Sequence, residues 1–392
     1  MKYELRPYQK EAVVAMLRDF KELGNSIVSL PTGSGKSLVI AEFVSRVNVP
    51  VLILQPSREI LAQNRSKLST YVDKSEIGTY SASFNLKEVK KYTFATIQSI
   101  YKKPELFENF YIVIIDEAHL YKAGGMFDKL LKGIGTSKVY GLTATPFKLV
   151  QEKKYDWKKR QVHIYGVLKM LTQLGFDDII YTISTKELTD QGYLSPLKYE
   201  TSSVATANFS LNSDKKIMAD FDLVLSLSGL DKLMPVLNSL GEFKSTIVFC
   251  PSVNTAMRLA DCVTGISTAF VSGETSAKDR DFILKAFLNG DIRVIFNCEV
   301  LTTGFDHPGL DCIVMARPTK SLNLWNQMIG RSTRTCPGKT SATIFDITGT
   351  TKFLGRLDEI KVVKRIDNGE WDVMTANGWT RNKIMSYYKG SI

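Results

Sequence analysis

The amino-acid sequence predicts an α/β fold built from two tandem domains, each a parallel β-sheet flanked by helices. Short apolar runs at 26–30, 51–55, 111–115 and 139–144 alternate with polar turns and helical patterns in the first half. A second series of apolar runs begins at 246–250 and is again separated by helical stretches. This alternation is typical of parallel sheets, because each crossover between parallel strands needs a long connection, usually a helix.

Changes in composition along the chain suggest four segments. Residues 1–150 and 241–350 carry the two series of strand-like runs, whereas 151–240 is rich in Lys, Ser, Thr and Asn and is predicted to be a partly helical connector. Residues 351–392 contain two Asn-Gly steps beside strand-like residues. Because Asn-Gly is the preferred pair in tight hairpins, this last segment is predicted to be a small β appendage.

The balance of charges favours a polyanionic partner. The 392 residues include 51 Lys and Arg against 40 Asp and Glu, which gives a formal net charge of +11. The composition, with 44% hydrophobic and 23% charged residues, is that of a globular protein and not of a disordered chain. A positive excess of this size attracts nucleic acid, although solubility alone is an alternative explanation.

Cysteine usage and hydropathy indicate an intracellular protein. The five cysteines are scattered and form no CxxC pair, so reduced thiols are expected and a zinc site is not. The N-terminal residues contain no apolar run behind a basic start, and no run of about 18 apolar residues occurs. We therefore expect a cytoplasmic location without membrane association.

A glycine-rich loop follows the first apolar run and precedes a helical pattern. In such a strand, loop and helix arrangement the backbone amides and the helix N-terminus bind phosphate oxygens. Lys36 is expected to reach the terminal phosphates of ATP, and Ser37 is expected to bind Mg²⁺. The strict pattern has a glycine where Leu30 stands, so the Gly-Lys-Ser core carries the prediction. The predicted nucleotide-binding residues are Pro31, Thr32, Gly33, Ser34, Gly35, Lys36 and Ser37.

Two adjacent carboxylates follow the apolar run at 111–115. Asp116 is predicted to hold the magnesium ion, and Glu117 is predicted to be the base that orients the attacking water. His119 alone is no more than a polar cap, but it completes the sequence Asp-Glu-Ala-His. Hydrolysis of a nucleotide needs both charge neutralisation and a positioned nucleophile, and this pair provides both.

With these two motifs in order, the chain resembles the superfamily 2 helicases, whose fold is two tandem RecA-like P-loop domains. The sequence RPYQ at 6–9 resembles the adenine-reading element of that family, which implies that Arg6 and Gln9 contact the base. The sequence TATPF at 143–147 resembles the element that couples hydrolysis to movement. By this resemblance His119, Thr143 and Thr145 are coupling residues, and the strand-backbone contacts are Pro56, Ser57, Arg58, Thr96 and Gln98.

The second half carries further segments of the same family. IVFCPS at 247–252 implies strand contacts at Pro251 and Ser252, and VLTTGFD at 300–306 implies strand contacts at Thr302 and Thr303 with nucleotide contacts at Gly304 and Asp306. QMIGRSTR at 327–334 supplies Gln327, Arg331 and Arg334 as catalytic residues. An arginine that meets the developing charge accelerates phosphoryl transfer. A spacing of three residues predicts that both arginines lie one helical turn apart and face one cleft, opposite the phosphates of ATP.

Within the superfamily the chain looks most similar to RadD-like bacterial repair ATPases, without their C-terminal cysteine cluster. The resemblance implies an ATP-dependent DNA helicase or translocase that uses ATP and Mg²⁺ and remodels forks or branched repair intermediates. The expected partners are single-stranded, forked or branched DNA, with a recombinase or a single-strand-binding protein as a further partner, and the expected state is a monomer. The alternatives are an RNA helicase, a motor subunit of a nuclease or restriction system, a P-loop kinase or switch, and an inactive scaffold.

Overall fold

The computed structural model describes residues 3–136, 138–156, 161–201, 207–209, 214–226, 230–301, 305–375, 378–379 and 385–388. The chain divides into two compact units. Unit 1 consists of Met1–Lys148, Lys169–Ser184 and Val362–Asp372, and unit 2 consists of Leu149–Leu168, Thr185–Lys361 and Val373–Ile392. Each unit is built around its own sheet, so the predicted fold class of two parallel-sheet domains is confirmed.

The strands are, in chain order, β1 (Gly24–Ser29), β2 (Val51–Gln55), β3 (Ile77–Ser81), β4 (Leu86–Lys87), β5 (Tyr92–Thr96), β6 (Ile112–Asp116), β7 (Lys138–Thr143), β8 (Phe147–Asp156), β9 (Gln161–Met170), β10 (Asp178–Thr182), β11 (Leu197–Thr201), β12 (Thr246–Phe249), β13 (Thr268–Val271), β14 (Val294–Asn297), β15 (Cys312–Met315), β16 (Ala342–Asp346), β17 (Lys361–Lys364), β18 (Trp371–Thr375), β19 (Gly378–Trp379) and β20 (Met385–Tyr388). The α-helices are α1 (Pro7–Asp19), α2 (Lys36–Arg46), α3 (Arg58–Leu68), α4 (Ile97–Ile100), α5 (Met126–Ile134), α6 (Thr185–Asp190), α7 (Asp214–Val224), α8 (Leu230–Ser239), α9 (Val253–Asp261), α10 (Ala277–Asn289), α11 (Leu322–Ile329) and α12 (Thr350–Leu354).

The sheet of unit 1 has the strand order β10-β1-β7-β6-β2-β5-β3-β4. All neighbouring strands in it pair in parallel except β3 with β4, which are antiparallel. Strands β2, β5, β6 and β7 are buried along their whole length, as expected for a parallel sheet covered on both faces. Because parallel strands all end at the same edge, the loops after β1, β7 and β6 lie side by side, and those after β2 and β5 follow along that edge.

The sheet of unit 2 has the strand order β11-β16-β15-β12-β14-β13, and all its pairs are parallel. Its core includes residues of α7 and α8, such as Phe221 and Leu237, packed with Val248 and Phe296 of the central strands. The aliphatic and aromatic side chains of these elements are almost fully buried. Burial of this kind is the main stabilising contribution to such a unit.

The structure divides the segment 151–240 differently from the predicted connector. Strand β10 joins the sheet of unit 1 beside β1, while β11 is an edge strand of the sheet in unit 2. Helices α7 and α8 belong to the core of unit 2. The amphipathic patterns of these elements are short and interrupted by polar residues. Composition alone therefore predicts a linker at a place where the chain forms edge strands of both sheets.

The C-terminal residues form short strands, as the Asn-Gly step at 368–369 predicts. Strands β17, β18 and β19 form one small sheet, with β18 antiparallel to β19, and β20 pairs antiparallel with β9. Gly369 has a φ of 69° in the turn between β17 and β18, where its amide donates to the Arg365 carbonyl. Asn377 of the second predicted hairpin lies outside the described residues. Across the part of the chain that is described, no helix is long and apolar enough to cross a membrane.

Candidate functional site

The phosphate loop of unit 1 connects β1 to α2. Gly33 and Gly35 have φ angles of 83° and 80°, which only glycine adopts readily, and Gly35 is the N-cap of α2. A Cβ at Gly35 would meet the Gln9 side-chain nitrogen at 2.6 Å, so space as well as conformation demands glycine there. The hydroxyl of Ser34 donates to the Pro31 carbonyl at 2.7 Å and closes the loop. Thr32 lies within this loop, and Lys36 and Ser37 begin the helix at its positive end.

Two residues at the start of α1, Tyr8 and Gln9, form hydrogen bonds to the phosphate loop. The Gln9 amide donates to the Ser34 carbonyl at 2.8 Å, and its oxygen accepts from the Arg6 backbone amide at 2.9 Å. The Tyr8 hydroxyl donates to the same Ser34 carbonyl at 2.6 Å. Gln9 therefore links the predicted adenine-reading element directly to the phosphate loop. Sequence reasoning missed Tyr8, although its place beside Gln9 in RPYQ was an available signal.

Asp116 ends β6 and is almost completely buried. Its carboxylate accepts from the Asn64 side chain at 2.8 Å and from the Glu117 amide at 3.0 Å. Burial, with repulsion from Glu117, raises the pKa of Asp116 to about 6, against the opposing attraction of Lys36. A cation at this carboxylate would favour its ionised form. Asn64, which sequence reasoning missed, connects α3 to the predicted metal-side carboxylate.

Glu117 is held between a lysine and a histidine. Its φ of 55° is unusual for a residue with a side chain and turns the chain sharply after β6. One carboxylate oxygen lies 4.0 Å from the Lys36 ammonium, and the other lies 3.3 Å from the His119 Nδ1. The sequence-predicted base is therefore beside the sequence-predicted phosphate-binding lysine.

A chain of polar contacts runs from Glu117 to the end of β7. His119 Nδ1 is 3.0 Å from the Thr143 hydroxyl, which in turn accepts from the Thr145 amide at 3.1 Å. Thr143 also accepts a backbone bond, since the Leu30 amide donates to its carbonyl at 2.9 Å just before the phosphate loop. The three predicted coupling residues thus form one buried network.

The predicted strand contacts of unit 1 follow β2 and β5. After Pro56, Ser57 caps α3, where its hydroxyl accepts from the Ile60 amide. Arg58 is exposed and stacks over the Phe84 ring at 4.6 Å. Thr96 ends β5.

Around Thr96 the β3 and β5 ends form a cluster of hydroxyls. The Thr96 hydroxyl contacts those of Ser81 and Ser99, at 3.0 and 2.8 Å. Gln98 beside it is exposed. Hydroxyls, an amide and a cation at one edge are groups that bind phosphate and sugar oxygens.

In unit 2 a serine caps a helix in the same way as in unit 1. After Pro251, Ser252 caps α9 by accepting from the Thr255 amide at 3.1 Å. The Ser252 hydroxyl also donates to the Asp222 carboxylate at 3.0 Å, and the Thr255 hydroxyl donates to the same oxygen. Asp222 lies on α7 and was missed by sequence reasoning.

The two predicted catalytic arginines lie beyond the end of α11, not on it. Gly330 is the C-cap of α11, so the prediction that Arg331 and Arg334 lie one helical turn apart is wrong. Arg331 donates to the Phe305 carbonyl, and Arg334 pairs with the Asp306 carboxylate. Both arginines therefore contact adjacent residues of one segment. Gln327 is half-buried on α11.

The turn that carries Arg334 is fixed by a half-buried lysine and a serine. Lys339 donates to the carbonyls of Ser332 and Arg334, at 2.6 and 2.8 Å. The Ser195 hydroxyl donates to the Arg334 carbonyl at 2.9 Å. Burial lowers the pKa of Lys339 to about 8 and lowers that of Arg334. Thr302, Thr303 and Gly304 of the predicted set lie outside the described residues.

The residues of unit 1 fit a magnesium nucleotide. The positive φ angles of Gly33 and Gly35 give the loop a backbone conformation that lets amide groups turn toward phosphate oxygens. Asp116 and Ser37 provide the hard oxygen donors that Mg²⁺ prefers. A bound nucleotide would supply the phosphoryl group and the ion would neutralise its charge, while Lys36 and Glu117 would bind phosphate and orient water.

Comparison with known proteins identifies the family. Residues 2–148 match the model "Type III restriction enzyme, res subunit", and residues 228–336 match "Helicase conserved C-terminal domain". The "Putative ATP-dependent helicase IRC3" of Saccharomyces cerevisiae is 27% identical over 88% of this chain and 51% of that protein. The chain is a superfamily 2 helicase. Such helicases hydrolyse ATP, and this helicase spans about half the length of that yeast relative.

The helicase has further relatives among known proteins. It is 26% identical to the "DNA 3'-5' translocase XPB2" of Sulfurisphaera tokodaii, over 85% of this chain and 79% of the relative. A fragment of a putative HsdR subunit of a type I restriction enzyme from Vibrio vulnificus YJ016 shares its fold. The TM-score is 0.67 at 22% identity, with 91% of this chain and 67% of that chain covered.

Proposed function

We propose that this helicase is an ATP-driven motor that moves on DNA and remodels forks or branched DNA. The observation that carries the proposal is the continuous network at one edge of the sheet in unit 1. It joins Lys36, Glu117, His119 and Thr143 through contacts of 3.0 to 4.0 Å. Glu117, the proposed base, contacts the coupling residues directly. A change of the bound nucleotide that moves Glu117 would therefore also move His119 and Thr143.

Each predicted site residue has a role in this proposal. The phosphate loop binds ATP, Ser37 and Asp116 hold Mg²⁺, and Glu117 orients the attacking water. Arg331 and Arg334 stabilise the charge that develops on the transferred phosphoryl group, with Gln327 beside them. Arg334 must exchange its Asp306 partner for phosphate, because the two are paired in the structure. That exchange is a differential contact between two states, as ligand-driven motion requires.

The choice of DNA rests on charge and on relatives. The excess of eleven positive charges favours a polyanion. The XPB2 relative is named a DNA translocase, and Arg58 and Gln98 are exposed, as the proposed strand contacts require. Branched DNA is the proposed substrate because exchanging one duplex for another breaks and makes similar numbers of base pairs, so the net free energy per step is small.

A panel of nucleic acids tests this function. ATP hydrolysis is measured with single-stranded DNA, duplex, forks, four-way junctions and RNA at equal nucleotide concentration. The expected order places forks and junctions first. Strand release is then compared between a four-way junction and a long tailed duplex. Stronger stimulation of ATP hydrolysis by RNA than by DNA would show that RNA is the substrate. Faster strand release from the long duplex would exclude branch remodelling but not the motor activity.

A second candidate is the motor part of a restriction system. It is favoured by the match of residues 2–148 to a restriction-enzyme subunit family. Such a motor is expected to translocate on long duplex DNA without releasing strands. Displacement of a triplex-forming oligonucleotide from a long duplex, with no activity on junctions, would favour this candidate.

A further inference from the structure

We propose that a groove along α3 in unit 1 binds single-stranded DNA beyond the predicted strand contacts. The inference rests on the proposed function and extends it to a site that no motif of the sequence marks. A cavity of about 290 Å³ lies between α3 and the edge strands β3 and β4. Its lining includes Leu61 and Arg65 of α3, Ser69 at the C-cap of that helix, Thr79 of β3, Lys74 and Phe84.

The α3 residues of the groove form one continuous stripe. Leu61, Arg65 and Ser69 are spaced by four residues, so they lie above one another on one helix face. Arg58 precedes Leu61 by three residues and begins the same stripe at the carboxyl edge of the sheet. The groove therefore starts at a predicted strand contact and leads along the helix away from it.

The charges of the groove suit a phosphate backbone. Arg65 and Lys74 are both exposed, and the structure gives neither a salt bridge among the described residues. The nearby acids Glu76 and Glu88 are bound by Lys91 at 3.3 Å and Lys90 at 3.7 Å. Other acidic neighbours are Glu59 and Asp73, and Asp73 accepts from the Ser75 amide. The groove thus offers cations and hydroxyls, and three of the four neighbouring carboxylates, those of Glu76, Glu88 and Asp73, already have partners.

The groove also offers a surface for a base. Phe84 forms one wall, and its ring already carries the Arg58 guanidinium at 4.6 Å. Leu61 and Ile77 provide an apolar floor. Combined cations and aromatic rings are the means by which proteins hold single strands without sequence preference.

A buried hydroxyl points to a ligand. Thr79 is 2% exposed and lines the cavity, and within the described residues its hydroxyl has no hydrogen-bond partner. A buried polar atom without a partner is unfavourable, so such atoms are uncommon. A sugar or phosphate oxygen in the groove would satisfy it.

The helix that forms the groove also contacts the nucleotide site. Asn64 lies between the groove residues of α3 and donates to the Asp116 carboxylate at 2.8 Å. A strand bound along α3 would therefore act on the residue proposed to hold magnesium. This connection makes ATP turnover a second readout of groove occupancy.

The test uses the full chain and oligo-dT of increasing length. The groove variant carries both Arg65→Glu and Lys74→Glu. The control variant carries both Lys21→Glu and Lys129→Glu, which make the same charge change at exposed residues elsewhere in unit 1. Short oligomers should bind all three proteins alike, since they fill the predicted contacts alone. Long oligomers should bind the groove variant about tenfold or more weakly, with the salt slope reduced by about 1.4 for two lost phosphate contacts.

A third variant removes no charge. Thr79→Val should weaken binding of long oligomers by roughly three- to tenfold, because one hydrogen bond is lost. Folding of every variant is checked by its thermal transition, and Arg65→Gln with Lys74→Gln replaces a double variant that does not fold.

The outcomes separate the groove from the motor. The proposal is supported if the affinity and the ATP turnover of the wild type increase with oligomer length and those of the groove variant do not. A groove variant that keeps the full rise overturns it while the proposed motor stands. Absence of any DNA-stimulated turnover in the wild type rejects the motor and the groove together. A loss seen with oligo-U and not with oligo-dT also overturns the assignment to DNA.

Discussion

The two units have the same local feature at the carboxyl edge of their sheets, a helix-capping serine, and surround it with different residues. In unit 1, β2 is followed by Pro56 and Ser57, and in unit 2, β12 leads through Pro251 to Ser252. Each serine caps the helix that follows. The Ser252 hydroxyl has an additional partner in Asp222, whereas among the described residues the Ser57 hydroxyl has the cap bond from Ile60.

The difference lies in the loops and in what holds them. The edge of unit 1 carries a glycine loop, a buried carboxylate and a network that ends at Thr143. The edge of unit 2 carries arginines fixed through backbone carbonyls and Asp306. A parallel sheet therefore provides the same places in both units, and the residues in those places differ: we propose that those of unit 1 bind phosphate and that those of unit 2 supply positive charge. Four predictions test this comparison.

The largest effect is expected at the arginines of unit 2. Arg334→Ala should lower ATP turnover by about 10³-fold or more, because an arginine that meets the developing charge contributes 10³ to 10⁵ in rate. Steady-state turnover and the thermal transition are measured together, since Arg331→Ala also removes a buried backbone contact. A loss of less than about tenfold at both positions would contradict their catalytic role.

The next effect separates binding from chemistry in unit 1. Lys36→Ala should abolish hydrolysis together with most nucleotide affinity, while Glu117→Gln should keep affinity and lower turnover by about 10²- to 10⁴-fold. The glutamine keeps the shape of the residue and removes its charge. Nucleotide binding is measured by titration with a fluorescent analogue. Near-wild-type turnover in Glu117→Gln would remove it from the role of base.

A matched pair of buried amides tests how the two edges are stabilised. Asn297 of β14 accepts from the Val300 and Leu301 amides, whereas the described surroundings give the Gln55 side chain of β2 no partner. Asn297→Leu should lower the free energy of unfolding by about 1 to 3 kcal/mol, because the buried Leu301 amide and the part-buried Val300 amide lose their acceptor. Gln55→Met should raise it or leave it unchanged. Denaturant unfolding checks both, and destabilisation by Gln55→Met would indicate that the amide is hydrogen-bonded.

The smallest effect compares the two capping serines. Ser57→Ala should cost about 1 kcal/mol for the lost cap. Ser252→Ala should cost somewhat more, because the half-buried Asp222 carboxylate also loses the Ser252 donor and keeps the Thr255 hydroxyl. The double variant Ser252→Ala with Asp222→Asn measures the coupling. Equal costs at both serines would mean that Asp222 adds nothing to the cap.

The sequence by itself determined the fold class and the motifs that are contiguous along the chain. The phosphate loop and the Asp-Glu-Ala-His turn could be predicted because glycine conformation, strand pattern and carboxylate chemistry all act within a few residues. Their proximity followed from parallel strands ending at one edge. The alternation of strands and helices likewise predicted both sheets.

Only the tertiary structure decided the partners and the boundaries. Asn64 reaches Asp116 across 52 residues of sequence, and Asp222 reaches Ser252 across 30, because strand order and helix packing bring them together. The end of α11 at Gly330 was missed because the sequence pattern continues past it, whereas capping ends the helix there. The sequence predicts a connector where the edge strands β10 and β11 lie. An edge strand needs little apolar surface, so its hydrophobic pattern in the sequence is weak. Motifs of adjacent residues can be recognised in the sequence, but long-range hydrogen-bond partners depend on which elements pack side by side.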